Sequence, residues 1–180
     1  MNISKRRCFL GSLLAICVLI LDRITKLWIL GNKDKPETVL IKNILEFQYA
    51  ENRGVAFGAL SGANSWIIIF FSCVMVAFLV FLYRKVLQGE KMKKLQIDTV
   101  ILLVIAGALG NLIDRIQYGF VVDFIYIRII NFPNFNIADM SIVISMIWIL
   151  ICGFFFLKDE DFSMFETKAE KGSKAEEETK

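Results

Sequence analysis

Long apolar runs separated by polar connections dominate the first 158 residues of the chain. A helix that crosses a bilayer needs about 20 mainly apolar residues, and four runs come close to that length or reach it. They extend from about Phe9 to Leu30, Trp66 to Tyr83, Ile97 to Ile113 and Ile137 to Leu157. The pattern predicts a membrane α-helical fold, with four transmembrane helices in one domain over residues 1–158.

Basic residues are distributed unevenly between the connections. Residues 5–7 are all basic, and residues 84–94 contain five lysines and arginines. Residues 31–65 contain four, and residues 114–136 contain two. Because cytoplasmic connections hold the excess of Lys and Arg, we expect both termini in the cytoplasm and the two less basic connections outside.

The two outer connections also contain strand patterns. Residues 45–49 alternate between apolar and polar positions, which is typical of a strand. Residues 52–54 then predict a turn, with residues 55–58 returning as a second strand. Residues 120–127 are apolar and partly β-branched, and they predict another strand. Together these segments predict a small extracytoplasmic β-sheet formed by the outer loops.

Composition agrees with a membrane protein and limits its chemistry. Hydrophobic residues make up 56% of the 180 positions, and the mean hydropathy is +0.58, more apolar than a soluble domain needs. The sequence contains no histidine, which excludes Ser-His-Asp and Cys-His catalytic sites and histidine-ligated metals. Four cysteines lie in apolar runs without paired spacing, which favours neither disulfides nor zinc. We expect no metal, no other cofactor and no nucleic-acid partner.

The two ends of the chain differ from its middle. Residues 159–180 are rich in Lys, Glu and Ser, and they predict a charged, disordered cytoplasmic tail without a catalytic role. The basic start and first apolar run also resemble a secretory signal peptide. No Ala-x-Ala cleavage pattern follows this run, so we interpret it as a retained span.

Polar residues that are unusual in a membrane gather at the predicted outer side. Asp22 lies about 20 Å into a first helix that enters from the cytoplasm, at 1.5 Å per residue. Lys26, four positions later, could simply pair with it on the helix. The other members of the group are Asn52, Asn111, Asp114, Arg115, Asp123, Asn136 and Asp139. Ionisable groups at membrane depth are unfavourable, so their convergence at one level indicates a functional site.

Paired carboxyl groups are the hydrolytic chemistry that this group offers. Two carboxylates held close together do not both ionise readily, so one keeps a proton while the other can activate a water. With a peptide substrate, the base would deliver the water and the acid would help the amine to leave. The residues themselves leave open which two of Asp114, Asp123 and Asp139 form the pair.

Several of these polar residues also have a structural interpretation. Asp114 could anchor an ion-pair network, and Asp139 could be a helix-start acid favoured by the dipole. Asp123 lies among apolar residues, where desolvation would raise a carboxyl pKa. Asn111 and Asn136 precede Asp114 and Asp139 by three positions. Their amides could orient a carboxylate or a substrate carbonyl, or only join helices within the bundle.

Five motifs together resemble those of the bacterial prolipoprotein signal peptidases, the type II signal peptidases, in their order and topology. They are DRITK (22–26), NRGVAFG (52–58), GALGNLIDR (107–115), VVDF (121–124) and FNIAD (135–139). The resemblance extends over about residues 20–157. The family usually has two consecutive glycines before ALGN, and this chain has Ala106 and Gly107 there.

The resemblance implies a membrane aspartyl endopeptidase with an extracytoplasmic active site. Such an enzyme removes the signal peptide of a prolipoprotein by cleaving just before the diacylglyceryl-modified cysteine. Asp123 and Asp139 match the catalytic pair. The positions that match substrate-binding or supporting residues are Asp22, Lys26, Asn52, Gly54, Asn111, Asp114, Arg115 and Asn136. The expected partners are the lipidated substrate and membrane lipid, and because one chain supplies every site residue, we expect a monomer.

Three other functions stay open as alternatives. A small transporter also needs intramembrane carboxylates, but it would spread them across the membrane depth, whereas the second run contains no charged residue. A non-enzymatic assembly factor would tolerate Asp→Asn changes. A serine–lysine peptidase would use Lys26, but no motif places a serine for it.

Overall fold

Four long helices and a small sheet make up the part of the chain that the computed structural model describes, residues 3–54, 64–89, 92, 95–158 and 161. The helices are α1 (Ile3–Leu30), α2 (Ser65–Val86), α3 (Ile97–Tyr118) and α4 (Ile137–Phe155). All four are long and apolar enough to cross a membrane. The predicted membrane α-helical fold with four spans is confirmed.

The third helix is longer than its apolar run. It continues to Tyr118 and ends at Gly119, whose φ of +79° is accessible without strain to glycine. Asp114 and Arg115 therefore lie in the last turns of α3, and not after its end as the apolar run predicted. The helix extends past Ile113 because both polar side chains find partners on other elements.

Helix α3 is the centre of the bundle. Of the 18 most apolar consecutive residues of α3, 67% are buried. The corresponding buried share is 17% in α1 and in α4, and 6% in α2. Two glycines allow the neighbours to approach closely. A Cβ at Gly107 would lie 2.6 Å from the backbone oxygen of Ala138, and one at Gly110 would lie 2.6 Å from Asp22 Oδ2. The glycines thus bring α1 and α4 against α3 at the level of the polar residues.

The sheet is antiparallel and consists of β1 (Thr38–Ile41), β2 (Leu45–Asn52), β3 (Val121–Ile127) and β4 (Phe132–Phe135), in that order. A 3₁₀ turn, Arg128–Ile130, joins the last two strands. Strands β2 and β3 confirm the predictions at 45–49 and 120–127. The sequence did not predict β1 or β4, because each has four residues, too few for a clear alternation. The predicted strand at 55–58 lies outside the described residues, as does almost all of the tail.

Apolar side chains hold the sheet on one end of the bundle. Val122 and Phe124 are buried against Ile29, near the end of α1. The ring of Phe47 on β2 packs edge-on against Phe124, with 5.5 Å between centroids. Because successive side chains of a strand point to opposite faces, Asp123 projects away from Val122 and Phe124. The sheet thereby presents Asp123 at the level where α1 and α3 end and α4 begins.

Candidate active site

One network at this end of the bundle connects every residue predicted for the site. The members are Asp22, Lys26, Asn52, Gly54, Asn111, Asp114, Arg115, Asp123, Asn136 and Asp139. They come from three helices, from strands β2 and β3 and from the segment that follows β2. The network has two levels: residues that contact Asp123 or Asp139, and residues that hold those contacts in place.

Asn136 bridges the carboxyl groups of Asp123 and Asp139. Its Nδ2 donates to Asp123 Oδ1 at 2.7 Å, and its backbone N–H donates to Asp139 Oδ2 at 3.2 Å. The local sequence forms a capping box here, because Asn136 is the N-cap of α4 and its Oδ1 accepts the Asp139 N–H at 2.9 Å. The start of α4 therefore places Asp139 where the helix dipole favours a negative charge, and it turns the Asn136 amide towards Asp123.

Asp123 is almost enclosed, with 2% of its surface exposed. Its Oδ2 accepts a hydrogen bond from Asn52 Nδ2 at 3.0 Å. Burial, followed by the charge of Asp139, raises the pKa of Asp123 to about 7, while the hydrogen bonds from Asn52 and Asn136 oppose the rise. A carboxyl group that titrates near neutral pH is suited to proton transfer.

Asp139 is held from its other side by a chain of contacts that leads to α1. Its Oδ1 accepts from Asn111 Nδ2 at 2.8 Å, and Asn111 Oδ1 accepts from Lys26 Nζ at 2.9 Å. The Lys26 side chain is completely buried, and its ammonium lies 2.9 Å from Asp22 Oδ2 and 3.0 Å from Asp114 Oδ2. The described contacts of Lys26 Nζ are thus to Asn111, Asp22 and Asp114 and not to a serine, which weighs against a serine–lysine peptidase.

Asp114 ties three elements together. It is fully buried, its Oδ1 pairs with Arg23 on α1, and its Oδ2 accepts the Val122 N–H of β3 at 3.2 Å. The contacts thus support the structural interpretation of Asp114 as an anchor. Arg23 did not figure in the sequence prediction, although a cation within an apolar span was a visible signal of a buried partner.

The segment after β2 is fixed by two backbone contacts. Arg115 Nη2 donates to the Gly54 backbone oxygen at 3.0 Å, and the Gly54 N–H donates to Asn52 Oδ1 at 3.1 Å. Asp22 has a similar role on the other side, since its Oδ1 accepts the Ala138 N–H at 3.0 Å in the first turn of α4. Gly54, Arg115 and Asp22 thus support the two carboxyl groups through other residues.

Comparison with known proteins agrees with this geometry. The family model described as signal peptidase (SPase) II matches residues 14–155. The lipoprotein signal peptidase of Shewanella halifaxensis is 40% identical over 147 residues, 81% of this chain and 86% of that protein. That of Clostridium tetani is 39% identical over 148 residues, 80% of this chain and 90% of that protein.

A solved structure is also similar. A bacterial membrane enzyme determined by the in meso method at 2.3 Å resolution gives a TM-score of 0.70 at 35% identity, covering 80% of this chain and 87% of that one. These matches confirm the resemblance found in the five motifs: the chain belongs to the signal peptidase II family, membrane peptidases of bacteria that remove signal peptides from prolipoproteins.

Proposed function

We propose that the chain is an aspartic endopeptidase with Asp123 and Asp139 as its catalytic pair. The observation that supports this most directly is the Asn136 bridge, in which one residue donates to both carboxyl groups. The two carboxyls come from different elements, and the charge of Asp139 acts on Asp123. Paired carboxyls that influence each other in this way can share one proton.

A shared proton is what peptide hydrolysis needs. The ionised carboxyl takes a proton from water as the water oxygen attacks the scissile carbonyl carbon, and the protonated carboxyl donates its proton to the carbonyl oxygen. Collapse of the tetrahedral intermediate breaks the C–N bond and returns a proton to the amine. The surrounding asparagines, and Lys26 with its partners Asp22 and Asp114, hold both carboxyls in place through these steps.

The level of the site suits a lipid-modified substrate. Lys26 lies four residues before the end of α1, which is about 6 Å at 1.5 Å per residue. A prolipoprotein with a diacylglyceryl cysteine would present its peptide bond at this level while its acyl chains stay in the bilayer. We infer that cleavage occurs immediately before that cysteine, with membrane lipid as the second partner.

The same arrangement supports an orientation of the protein in the membrane and an extent for its catalytic domain. Arg84 and Lys85 lie in the last turn of α2, at the end of the bundle opposite to the site, and Lys91, Lys93 and Lys94 follow them in the sequence before α3 begins. Their excess supports cytoplasmic termini and an extracytoplasmic site. We assign residues 1–158 to the catalytic domain and leave the tail outside it. A monomer suffices, because one chain contributes all the site residues.

Cleavage of a lipidated substrate tests the proposed function. The purified protein, in detergent or lipid, is incubated with a diacylated prolipoprotein and with the unlipidated counterpart, and the products are separated by gel. We expect cleavage of the lipidated form alone. Asp123→Asn and Asp139→Asn should each lower kcat by about 10²–10⁴-fold, the usual contribution of a proton-transfer group, while the proteins stay folded.

Asp34→Asn is the matched control. Asp34 is an exposed aspartate that follows α1 at the same end of the bundle, so this variant should cleave at the wild-type rate. Full activity in either Asp123→Asn or Asp139→Asn would reject the catalytic pair, and no cleavage by folded wild-type protein would favour an assembly factor or a transporter. Equal cleavage of the unlipidated protein would reject the substrate assignment.

A further inference from the structure

Three asparagine side chains contact the catalytic pair, and the orientation of each amide is fixed by a group that can only donate. The oxygens of Asn52 and Asn136 accept backbone N–H groups, from Gly54 and Asp139 respectively. Since a backbone N–H cannot accept a hydrogen bond, each of these amides must turn its NH₂ group to Asp123.

Asn111 is oriented in a different way. The donor that fixes it is a side chain, the ammonium of Lys26, which lies 2.9 Å from Asn111 Oδ1. Asn136 Nδ2 donates to the same oxygen at 3.1 Å. An ammonium has donors and no acceptor, so the Asn111 NH₂ group must face Asp139, whose Oδ1 it meets at 2.8 Å. Two donors therefore orient the Asn111 amide: Asn136 and, at the shorter distance, Lys26, which does not touch either aspartate.

We propose that Lys26 is a positioning residue: it holds the Asn111 amide with its NH₂ group on Asp139, so that Asp139 is the ionised base of the pair and Asp123 keeps the proton. This inference rests on the proposed function, because it assumes that these two aspartates form the catalytic pair.

The surroundings of the two carboxyls differ in the direction that this assignment requires. Asp139 is only partly buried, lies in the first turn of α4 and accepts from Asn111 and from the Asn136 backbone. Asp123 also accepts two N–H donors, so the two carboxyls differ in the helix start, which favours a carboxylate at Asp139, and in burial. Asp123 is enclosed in the sheet, where burial raises its pKa to about 7.

Charged groups reach the pair from two packed helices. Asp22 and Lys26 face it from α1, and Asp114 and Arg115 face it from α3. Lys26 is the cation among these that contacts an amide bound to Asp139. Arg23 lies farther out, where it contacts Asp114 and Gln117.

The assignment defines the path of each proton. Asp139 accepts a proton from the attacking water, and Asp123 donates its proton to the carbonyl oxygen. When the C–N bond breaks, the amine takes the proton held by Asp139, and a hydroxyl of the intermediate returns one to Asp123. The pair then has its starting protonation.

The pH dependence of kcat/KM tests the role of Lys26. The acidic limb of a bell-shaped profile reports the first ionisation of the pair in the free enzyme. Lys26→Met leaves Asn136 Nδ2 as the remaining donor to Asn111 Oδ1, and Asn111→Leu removes the amide. Asn111→Leu should move the acidic limb to higher pH by about one unit or more, as expected for losing a hydrogen bond to a charged group, and Lys26→Met should move it in the same direction by a smaller amount. The basic limb should move less.

A double variant shows whether Lys26 acts through Asn111. If it does, Lys26→Met combined with Asn111→Leu should move the acidic limb no farther than Asn111→Leu alone. Arg23→Met is the matched control, because it also removes a cation from Asp114 but leaves Asn111 in contact with Lys26; its profile should match the wild type. Additive shifts, or an equal shift in Arg23→Met, would show that Lys26 acts only by its charge.

Two further comparisons separate the possible failures. If Lys26→Met does not fold, Asp22→Asn combined with Lys26→Met removes one charge of each sign and keeps an oxygen for the Ala138 N–H. If the wild type does not cleave, or the Asp→Asn variants do, the proposed function fails. If those proteins behave as expected but the acidic limb stays in place in Asn111→Leu and in the Lys26 variant, the positioning inference alone fails.

Discussion

Two clusters in this protein have the same composition, one cation with two carboxylates, and lie in opposite surroundings. The first is centred on Lys26, whose ammonium lies 2.9 Å from Asp22 and 3.0 Å from Asp114. All three side chains are at most 1% exposed, and they lie within the helix bundle. Each member also bonds to a group outside the cluster.

The second cluster is centred on Arg128, at the far end of the sheet. Arg128 makes two hydrogen bonds to Glu46, at 2.5 Å and 2.6 Å, and one to Glu37 at 3.3 Å. Its side chain is 44% exposed, and that of Glu37 is 41% exposed. Water can therefore solvate the cation and one of its partners.

The contrast shows that burial determines whether the charges of an ion pair need further partners inside the protein. A charge removed from water must find a complete set of partners inside the protein, or it destabilises the fold. Lys26 meets this need partly through Asn111, which contacts the catalytic pair. The requirement to satisfy a buried cation thus also fixes an amide at the active site. Arg128 has no such requirement, because water screens it.

The largest difference between the clusters should appear when the central cation is removed. Lys26→Met leaves Asp22 without a counter-ion in a dry site, and breaking a buried pair costs about 3–5 kcal/mol. We expect a large drop in the thermal unfolding midpoint of the protein in detergent, and a lower yield of folded protein. A midpoint within error of the wild type would mean that water reaches this cluster.

Close packing of α3 against α4 should be the next most sensitive feature. In Gly107→Ala the new Cβ would lie 2.6 Å from the Ala138 oxygen and 2.8 Å from Ile142 Cγ1. Because backbone must shift, we expect about 1–3 kcal/mol of destabilisation, and reduced cleavage as Asp139 moves with α4. The measurements are the unfolding midpoint and kcat.

Gly153→Ala is the matched control for this change. Gly153 is a glycine within α4, as Gly107 is within α3, and a Cβ there meets no atom within 4 Å. Alanine favours the helix over glycine, so this variant should be as stable as the wild type or more so, with full activity. Equal losses in the two variants would show that the close contact at Gly107 is not what makes α3 and α4 sensitive to an added Cβ.

Much of the fold followed from the sequence, because hydrocarbon solvent imposes a simple length requirement on a span. Strands β2 and β3 were also predictable from their composition and alternation. The end of α3 could not be predicted in this way, because Asp114 and Arg115 stay helical through partners that come from α1 and from Gly54. Such contacts depend on packing and leave no local signal.

The candidate site was predictable in its members and not in its connections. Charged and amide residues stand out against apolar spans, so most of the group was visible in the sequence, while the five motifs added Gly54 and the choice of Asp123 and Asp139 as the pair. The role of Asp114 needed the structure, since its partner Arg23 is 91 positions away in the chain. The same applies to the contact of Lys26 with Asn111, across 85 positions.

A smaller effect, of opposite sign, is expected at Asp123, which is buried like the Lys26 cluster but has no cation in contact among the residues that the structure describes. Its pKa is about 7 in the folded protein, against an ordinary value of 3.8. The folded state therefore binds the proton more tightly, and this residue makes stability fall as pH rises from about 4 to 7. Asp123→Asn removes that penalty. At pH 8 its free energy of unfolding should therefore exceed that of the wild type by about 1 kcal/mol or more, which corresponds to a rise of ~2–4 °C in the unfolding midpoint.

Comparison across pH isolates this effect. At pH 4 the wild-type carboxyl is already protonated in the folded state, so the two midpoints should nearly coincide. A gain in stability together with the loss of cleavage would show that Asp123 is retained for catalysis. A stability difference that does not change with pH would attribute the gain to packing, and not to the buried carboxyl.

The smallest effect should come from Arg128→Met, the counterpart of Lys26→Met in the exposed cluster. The Arg128 hydrogen bonds hold the pKa of Glu46 below its usual range, so the contribution of the pair is present at neutral pH and is lost as pH falls through the lowered pKa. We expect a drop in the unfolding midpoint well under half of that in Lys26→Met, with cleavage unchanged. High salt should reduce the drop, because exposed charges are screened. If Arg128→Met destabilised the protein as much as Lys26→Met, or the drop persisted in high salt, burial would not be what distinguishes the two clusters.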